Sequence, residues 1–298
     1  MAYHVPVLAQ ASIEALAIKP EGVYVDATFG GGGHAALILQ RLGDKGRLLA
    51  FDQDDDARAN LPDDPRLAFI PHNFRHLQRW LKLYGFEQVD GILADLGVSS
   101  HQLDQAERGF SYRFEADLDM RMDRQNGPTA ADILNTYPAE ELQRIFSEYG
   151  EVRNARTLAA QILAARSHRP LKQISDFLAI AEPLARGDRI RYLSQVFQAL
   201  RIEVNDEMGA LSDFLAQAID TLRPEGRLAV ITYHSVEDRL VKHFLKAGNA
   251  EGLPKQDFFG RIERPFRLVE KKPVLPSAQE IKQNPRARSA KLRVGERI

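Results

Sequence analysis

The sequence predicts an α/β protein whose parallel sheet is interrupted by a helical insertion, and three observations predict this. Apolar strand candidates alternate with helical segments over the first hundred residues. The alternation stops over residues 105–199, where the apolar spacing is helical. It resumes with an apolar strand candidate at 227–235. Near-continuous apolar strands separated by helices are typical of a parallel sheet that is covered on both faces.

The strands and helices of the first part alternate one by one, so their order can be predicted directly. The strands at 46–52 and 89–97 each end on or just after an acidic residue. The carboxyl ends of such strands meet at one sheet edge, where open α/β sheets bind ligands. The predicted strands are Val23–Ala27, 46–52, 67–74 and 89–97, and the predicted helices are Ala35–Leu42, Ala57–Leu61 and 75–85.

The second part is predicted to be helical up to residue 226. Residues 1–104 and 200–298 are expected to form one discontinuous domain, with 105–199 as an inserted, substrate-recognising domain. Two strand candidates in the tail, within 265–275 and 289–298, complete the sheet. The helices of this part are predicted at 138–152, 154–168 and 171–184, followed by one long helix over 194–226 that stops at Pro224 and Gly226.

Composition places the chain among ordinary soluble proteins, with 298 residues, 44% hydrophobic and 27% charged. The first residues lack the features of a signal peptide, and no run approaches the roughly 20 apolar residues that cross a bilayer. With no cysteine there are no disulfides or thiolate metal sites. We therefore expect a cytoplasmic protein.

Charge is distributed unevenly along the chain. Residues 261–298 contain eleven Lys and Arg against four Glu, a net charge of +7, whereas the whole chain carries −1. Such a segment is either a solvated basic face or a surface for a polyanion.

The turn after the first strand holds four consecutive glycines, Gly30–Gly33. A glycine turn between a strand and a helix lets a ligand approach the backbone beside the unpaired N–H groups of the helix start. The segment “GGGGHA” (30–35) also satisfies the dinucleotide fingerprint with alanine in the last place. The glycines alone therefore leave a nicotinamide cofactor open.

Three aspartates near the predicted strand ends favour a different cofactor. Asp26 precedes the glycines, Asp52 ends the second strand and Asp95 lies near the end of the fourth. Each could cap a helix on its own. Asp26 would face a pyrophosphate unfavourably but suits the ammonium group of S-adenosylmethionine. Asp52 suits the ribose hydroxyls of either cofactor. Three such acids beside one glycine turn are harder to explain as helix caps, so the sequence favours S-adenosylmethionine.

Eight short motifs lie in order along the chain: “HVPVL” (4–8), “YVDATFGGGGH” (24–34), “DGILADLGVSSHQLD” (90–104), “ERGFSY” (107–112), “LDMRMD” (118–123), “QALRIEVNDE” (198–207), “HSVEDRLVK” (234–242) and “NPRARSAKLR” (284–293). In these motifs the chain resembles the ribosomal RNA small-subunit methyltransferase H family. The resemblance implies a class I, Rossmann-like methyltransferase fold. It also implies methylation of N4 of a cytidine in the decoding region of 16S rRNA, with S-adenosylmethionine as the donor.

The resemblance also implies which residues contact the cofactor. Asp52 is expected at the ribose, Phe74 beside the adenine and Asp95 at the end of the fourth strand. The full set that it assigns is Gly32, Gly33, His34, Asp52, Phe74, Asp95 and Gln102, to which the charge argument above adds Asp26.

A group that accepts a proton from the cytosine amine is needed, and no metal is required because the donor is already activated. The Asp/Asn-Pro-Pro-aromatic motif of many amino-methyltransferases is absent. The candidates are Asp95, the Ser99–Ser100 loop and His234, and the sequence leaves them open.

The target cytosine must be unstacked before it can react, which calls for aromatic and guanidinium groups near the insertion. These groups could equally pack the joint between the two domains.

The partner is expected to be 16S rRNA within a small subunit, and a homodimer is an option. The alternative functions are a nicotinamide-dependent oxidoreductase and a non-catalytic RNA-binding assembly factor. The RNA-contacting candidates are Arg113, Arg121, Arg124, Arg286 and Arg288.

Overall fold

A computed structural model describes residues 6–256, 258–259 and 262–298 of the chain. The chain packs as two compact units. The core unit combines the residues up to Gly97 with Gly209–Ile298, and the inserted unit is Val98–Met208. His4 and Val5 of the first motif and Arg261 of the basic segment lie outside the described residues.

A seven-stranded sheet in the order β3-β2-β1-β4-β5-β9-β8 forms the centre of the core unit. Strands β1 to β5 run parallel, and β9 pairs antiparallel with both β5 and β8. A separate two-stranded hairpin is formed by β6 and β7. The strands are β1 (Val23–Asp26), β2 (Arg47–Phe51), β3 (Leu67–Ile70), β4 (Val89–Asp95), β5 (Leu222–Thr232), β6 (Lys255–Gln256), β7 (Ile262–Glu263), β8 (Phe266–Leu268) and β9 (Lys291–Arg297).

Both faces of this sheet are buried. Leu48 and Ala50 of β2 belong to one apolar cluster, which also contains residues of α1 and α2. The intervening Leu49 and Phe51 are equally buried. Because successive side chains point to opposite faces, apolar side chains at every position require cover on both sides. The helices of this unit are α1 (Ala9–Leu16), α2 (Gly33–Leu39), α3 (Leu77–Leu83), α10 (Glu207–Thr221, from Gly209 onward), α11 (Ser235–Ala247) and α12 (Ala278–Gln283).

The inserted unit is helical and has its own apolar cluster, which includes the aromatic side chains of Phe146, Phe177 and Phe197. Arg108 is 1% exposed, and its guanidinium donates to the carbonyls of Arg121 and Met122. Because these carbonyls pair with a buried guanidinium, Arg108 fixes the loop that contains residues 121 and 122. The helices are α4 (Ser100–Asp104), α5 (Ala130–Thr136), α6 (Ala139–Glu148), α7 (Ala155–Arg166), α8 (Ile174–Ala181) and α9 (Arg189–Val204).

The prediction of a single long helix over 194–226 is wrong. The segment is divided into α9 and α10, with Asp206 between them in the left-handed region at φ 45°. The Asn205 amide donates to the carbonyl of Met120 and accepts from the N–H of Met122. These hydrogen bonds hold the chain where α9 ends. The apolar spacing continues across the break, so the spacing alone does not reveal where α9 ends.

Part of the basic tail belongs to the sheet, through β8 and β9. Lys291 and Arg293 of β9 both pair with Asp238, and Arg267 of β8 pairs with Glu296. Ion pairs within the fold neutralise these cations. In the part of the chain that the structure describes, no helix combines the length and apolar character needed to cross a bilayer.

Candidate active site

The strand order brings the predicted aspartates to one edge of the sheet. Asp26 ends β1, Asp95 ends β4, and Asp52 follows β2. The order reverses between the neighbouring strands β1 and β4, which is the switch point where ligands bind in open α/β sheets. Asp52 and Asp95 both raise the pKa of Asp26 by repulsion. The three carboxylates therefore form one electrostatic group.

Asp26 is the most deeply buried of the three, at 1% exposed. Its Oδ1 accepts a hydrogen bond from the Thr28 N–H at 3.1 Å, while Oδ2 has no hydrogen-bond partner among the described residues. Burial raises the pKa of Asp26 to about 6. A buried carboxylate oxygen without a donor is costly, and a cationic ligand would relieve that cost.

Asp52 holds the glycine turn in place. Its Oδ2 accepts from the Gly30 N–H at 2.7 Å and its Oδ1 from the Asp54 N–H at 2.9 Å. The Asn60 amide donates to the Gly30 carbonyl at 3.1 Å. Burial raises the pKa of Asp52 to about 6. Each carboxylate oxygen retains lone pairs that can accept from a hydroxyl.

The glycine turn is tight at two positions and open at one. Gly32 has a φ of 74°, and a Cβ built there would lie 3.0 Å from the Phe29 ring. A Cβ at Gly33, the first residue of α2, would lie 3.1 Å from the Pro6 ring. Gly31 has no atom within 4 Å of its built Cβ. The turn thus needs glycine at position 32 for its backbone conformation.

His34 stands behind the turn as a neutral imidazole. It is 5% exposed, and its Nε2–H donates to the Val7 carbonyl at 3.0 Å. Burial lowers the pKa of His34. Its Nδ1 lies 3.7 Å from Asp95 Oδ2. That nitrogen therefore carries a lone pair next to the carboxyl group of Asp95.

Tyr233 belongs to this group, although the sequence reasoning missed it. It follows β5, the parallel neighbour of β4, and its hydroxyl donates to Asp95 Oδ1 at 2.7 Å. Burial raises the pKa of Asp95 to about 7, the Tyr233 hydrogen bond opposes this rise, and the Glu237 carboxylate adds to it. The pairing of β5 with β4 brings Tyr233, just after β5, next to Asp95, the last residue of β4.

His234 caps a helix. Its Nδ1 accepts from the N–H of Glu237 at 3.4 Å at the start of α11, and its Nε2 lies 3.0 Å from Glu237 Oε1. Glu237 is 2% exposed, and its Oε2 also accepts from the Tyr233 N–H at 2.9 Å. Glu237 therefore orients His234 and the backbone that carries Tyr233.

The two remaining cofactor candidates lie in different units. Phe74 is half-buried in the core unit and meets Phe214 edge to face at 5.1 Å. Gln102 lies in the inserted unit, where its Oε1 accepts from the Ser99 N–H at 3.0 Å and Ser99 Oγ accepts from the Gln102 N–H. This reciprocal cap accounts for both side chains locally. The cofactor contact of Gln102 stays a prediction.

The predicted RNA-contacting arginines differ in their pairing. Arg121 binds Asp119 through two hydrogen bonds, at 2.7 and 3.0 Å, which neutralises its charge. Arg113 and Arg124 are exposed in the inserted unit. Arg286 and Arg288 are exposed on a 3₁₀ turn of the core unit, Pro285–Ser289.

Comparison with known proteins identifies the family. The model of the MraW methylase family matches residues 1–298. A ribosomal RNA small subunit methyltransferase H from Parabacteroides distasonis is 54% identical, covering 99% of this chain and 98% of that protein. The protein of the same name from Bacteroides thetaiotaomicron is 55% identical, covering 100% and 98%. A solved rRNA methylase from Streptococcus thermophilus aligns with a TM-score of 0.43 at 13% identity, covering 99% of each chain, which is too distant to add to the sequence matches. On those matches, the chain belongs to the MraW methylase family.

Proposed function

We propose that this protein transfers a methyl group from S-adenosylmethionine to N4 of a cytidine in the decoding region of 16S rRNA. The observation that carries the proposal is the unpaired, buried Oδ2 of Asp26 within a group of three carboxylates at the switch point of the sheet. Membership of the MraW methylase family and the names of its relatives supply the reaction and the RNA.

The charge of the site supports this donor over a dinucleotide. Asp26, Asp52 and Asp95 would face a pyrophosphate with like charge, whereas an ammonium group would give Asp26 Oδ2 the donor that it lacks. With that donor bound, Asp52 would accept from its ribose hydroxyls and Phe74 would lie against its adenine. Gly32, Gly33 and His34 would shape the wall of the pocket. When bound, S-adenosylmethionine supplies a methyl group that is already activated on a sulfonium.

Asp95 is the proposed proton acceptor for the exocyclic amine. Its side chain is 22% exposed, so a substrate can reach it, and its pKa of about 7 lies near the working pH, as general-base catalysis requires. Asp95 would accept one proton from N4 as the amine takes the methyl group, while the carbon–sulfur bond of the donor breaks and leaves a neutral thioether. His234 is the weaker candidate because its Nδ1 already accepts from the Glu237 N–H at the start of α11.

The inserted unit is proposed to recognise the RNA, with the exposed Arg113 and Arg124 at phosphates. Arg286 and Arg288 add contacts from the core unit. In the inserted unit, Arg121 is the weaker phosphate ligand because Asp119 already holds its guanidinium. A small subunit in the cytoplasm is the proposed setting.

Transfer of labelled methyl groups to small subunits that lack the modification, followed by mapping of the modified base, tests the proposal. N4-methylcytidine in 16S rRNA is the expected product. A methylated base of another kind would overturn the specificity. Failure of the folded, cofactor-binding protein to transfer any label would favour a non-catalytic assembly factor.

A further inference from the structure

The β6–β7 hairpin exposes apolar side chains that the proposed chemistry does not use. Phe258 and Phe259 are 97% and 81% exposed, and their rings meet edge to face at 5.7 Å. Ile262 of β7 is 45% exposed and Leu253, just before β6, is 68% exposed. Of the thirteen large apolar residues that are exposed in the described part of the chain, seven lie between positions 253 and 275.

This hairpin is anchored at its base. The Asn249 amide donates to the Leu253 carbonyl at 2.7 Å, and the Leu253 N–H donates back to Asn249 Oδ1 at 3.1 Å. On the other side, Phe266 is 2% exposed and the Pro265 carbonyl accepts from the Ile298 N–H. The apolar side chains therefore stand on a segment whose two ends are held by the core unit.

Charge indicates the kind of partner. Residues 253–275 contain six Lys and Arg against three Asp and Glu, a net charge of +3 in a chain whose total is −1. Lys255 of β6 and Arg264, just after β7, are exposed, and neither forms an ion pair with another described residue. A surface that combines exposed aromatic rings with unneutralised cations matches single-stranded RNA, whose bases stack on rings and whose phosphates bind cations.

We propose that the hairpin surface, defined as the side chains of Lys255, Phe258, Phe259, Ile262 and Arg264, binds an unpaired segment of the RNA substrate through base stacking and phosphate contacts. The proposal rests on the proposed function for the identity of that RNA. A protein partner, or a second copy of this chain, would need the same apolar residues but would gain less from the net positive charge.

The test measures binding to small-subunit rRNA over a range of salt concentrations, together with the kcat and KM for methylation of small subunits. F258A/F259A is expected to weaken binding roughly tenfold and to raise KM by a similar factor, with kcat unchanged. The salt dependence of the affinity stays as in the wild type, because stacking releases no counterions. Arg264→Ala is expected to reduce the salt slope by about one unit.

Two control variants separate the loss of ring stacking from a general effect of substituting exposed side chains. F258Y/F259Y retains the ring faces and is expected to bind like the wild type. Leu83→Ala removes a side chain that is 69% exposed on α3 and should change neither affinity nor KM. Unchanged rRNA affinity and KM in F258A/F259A would overturn the inference, and a change in sedimentation in that variant would then assign the surface to a second copy. If the wild type itself methylates no small subunits, the proposed function fails instead.

Discussion

The hydroxyl of Tyr233 donates a hydrogen bond to Asp95 Oδ1 at 2.7 Å, joining the residue that follows β5 to the last residue of its parallel neighbour β4. A hydrogen bond to the ionised form of an acid favours ionisation, so Tyr233 holds the pKa of Asp95 below the value that burial alone would impose. Titratable groups that interact with this pair include Asp26, His34, Glu237 and Glu280.

Tyr233→Phe should therefore shift the pH dependence of methyl transfer. Loss of the donor raises the pKa of Asp95, so a higher pH is needed to ionise the base. The single-turnover rate should fall at pH 6.5 and recover the wild-type plateau at pH 9. Tyr84→Phe, at an exposed site after α3, is the matched control. A profile that coincides with the wild type would remove Tyr233 from the site.

Asp95→Asn should separate the two candidate proton acceptors. Without a base at this position, we expect the single-turnover rate to fall by about 10²-fold or more. His234→Ala is expected to lose a helix cap, costing about 1 kcal/mol of the free energy of unfolding, and to keep most of the rate. Quench-flow kinetics at saturating cofactor makes the comparison. A large loss of rate in His234→Ala with cofactor affinity intact would reverse the assignment.

Asp26→Asn should weaken S-adenosylmethionine binding and stabilise the ligand-free protein. The folded-state pKa of about 6 exceeds the ordinary value of 3.8, so the folded state binds the proton more tightly than the unfolded state. The carboxylate therefore destabilises the fold above pH 6 and has no such effect below pH 4. We expect a gain of about 2 kcal/mol in the free energy of unfolding at pH 8 and little gain at pH 4. Denaturant titration at both values, with calorimetry of cofactor binding, measures the two effects.

Gly32→Ala should disturb the cofactor turn while Gly31→Ala should not. Alanine at position 32 must adopt a φ of 74° and approach the Phe29 ring, which costs about 1–2 kcal/mol. Position 31 has open space around its built Cβ. Thermal unfolding and cofactor affinity should both change in the first variant. Equal behaviour of the two would mean that the turn tolerates a side chain at either position.

R286A/R288A should lower the affinity for small-subunit rRNA and flatten its salt dependence, because both side chains are exposed. Deletion of the whole tail is a poorer experiment, since it removes β9 from between β5 and β8. Filter binding at several salt concentrations gives the slope. Wild-type affinity and slope in the double variant would exclude these arginines from the interface.

The sequence by itself was sufficient to predict the α/β alternation, strands β1 to β4, the glycine turn and the helical character of the insertion. These features depend on local periodicity and on residues that are neighbours in the chain. An aspartate at or just after a strand end could likewise be placed at the carboxyl edge of a parallel sheet from its position in the chain.

Only the tertiary structure decided which distant residues meet. Tyr233 and Asp95 are 138 positions apart, and their contact depends on β5 lying beside β4. The break between α9 and α10 depends on hydrogen bonds from Asn205 to residues 120 and 122. Asp238 pairs with tail cations because β9 runs antiparallel along β5. In each case the stabilising interaction is with a residue far away in the chain, and the periodicity of apolar residues carries no information about such partners.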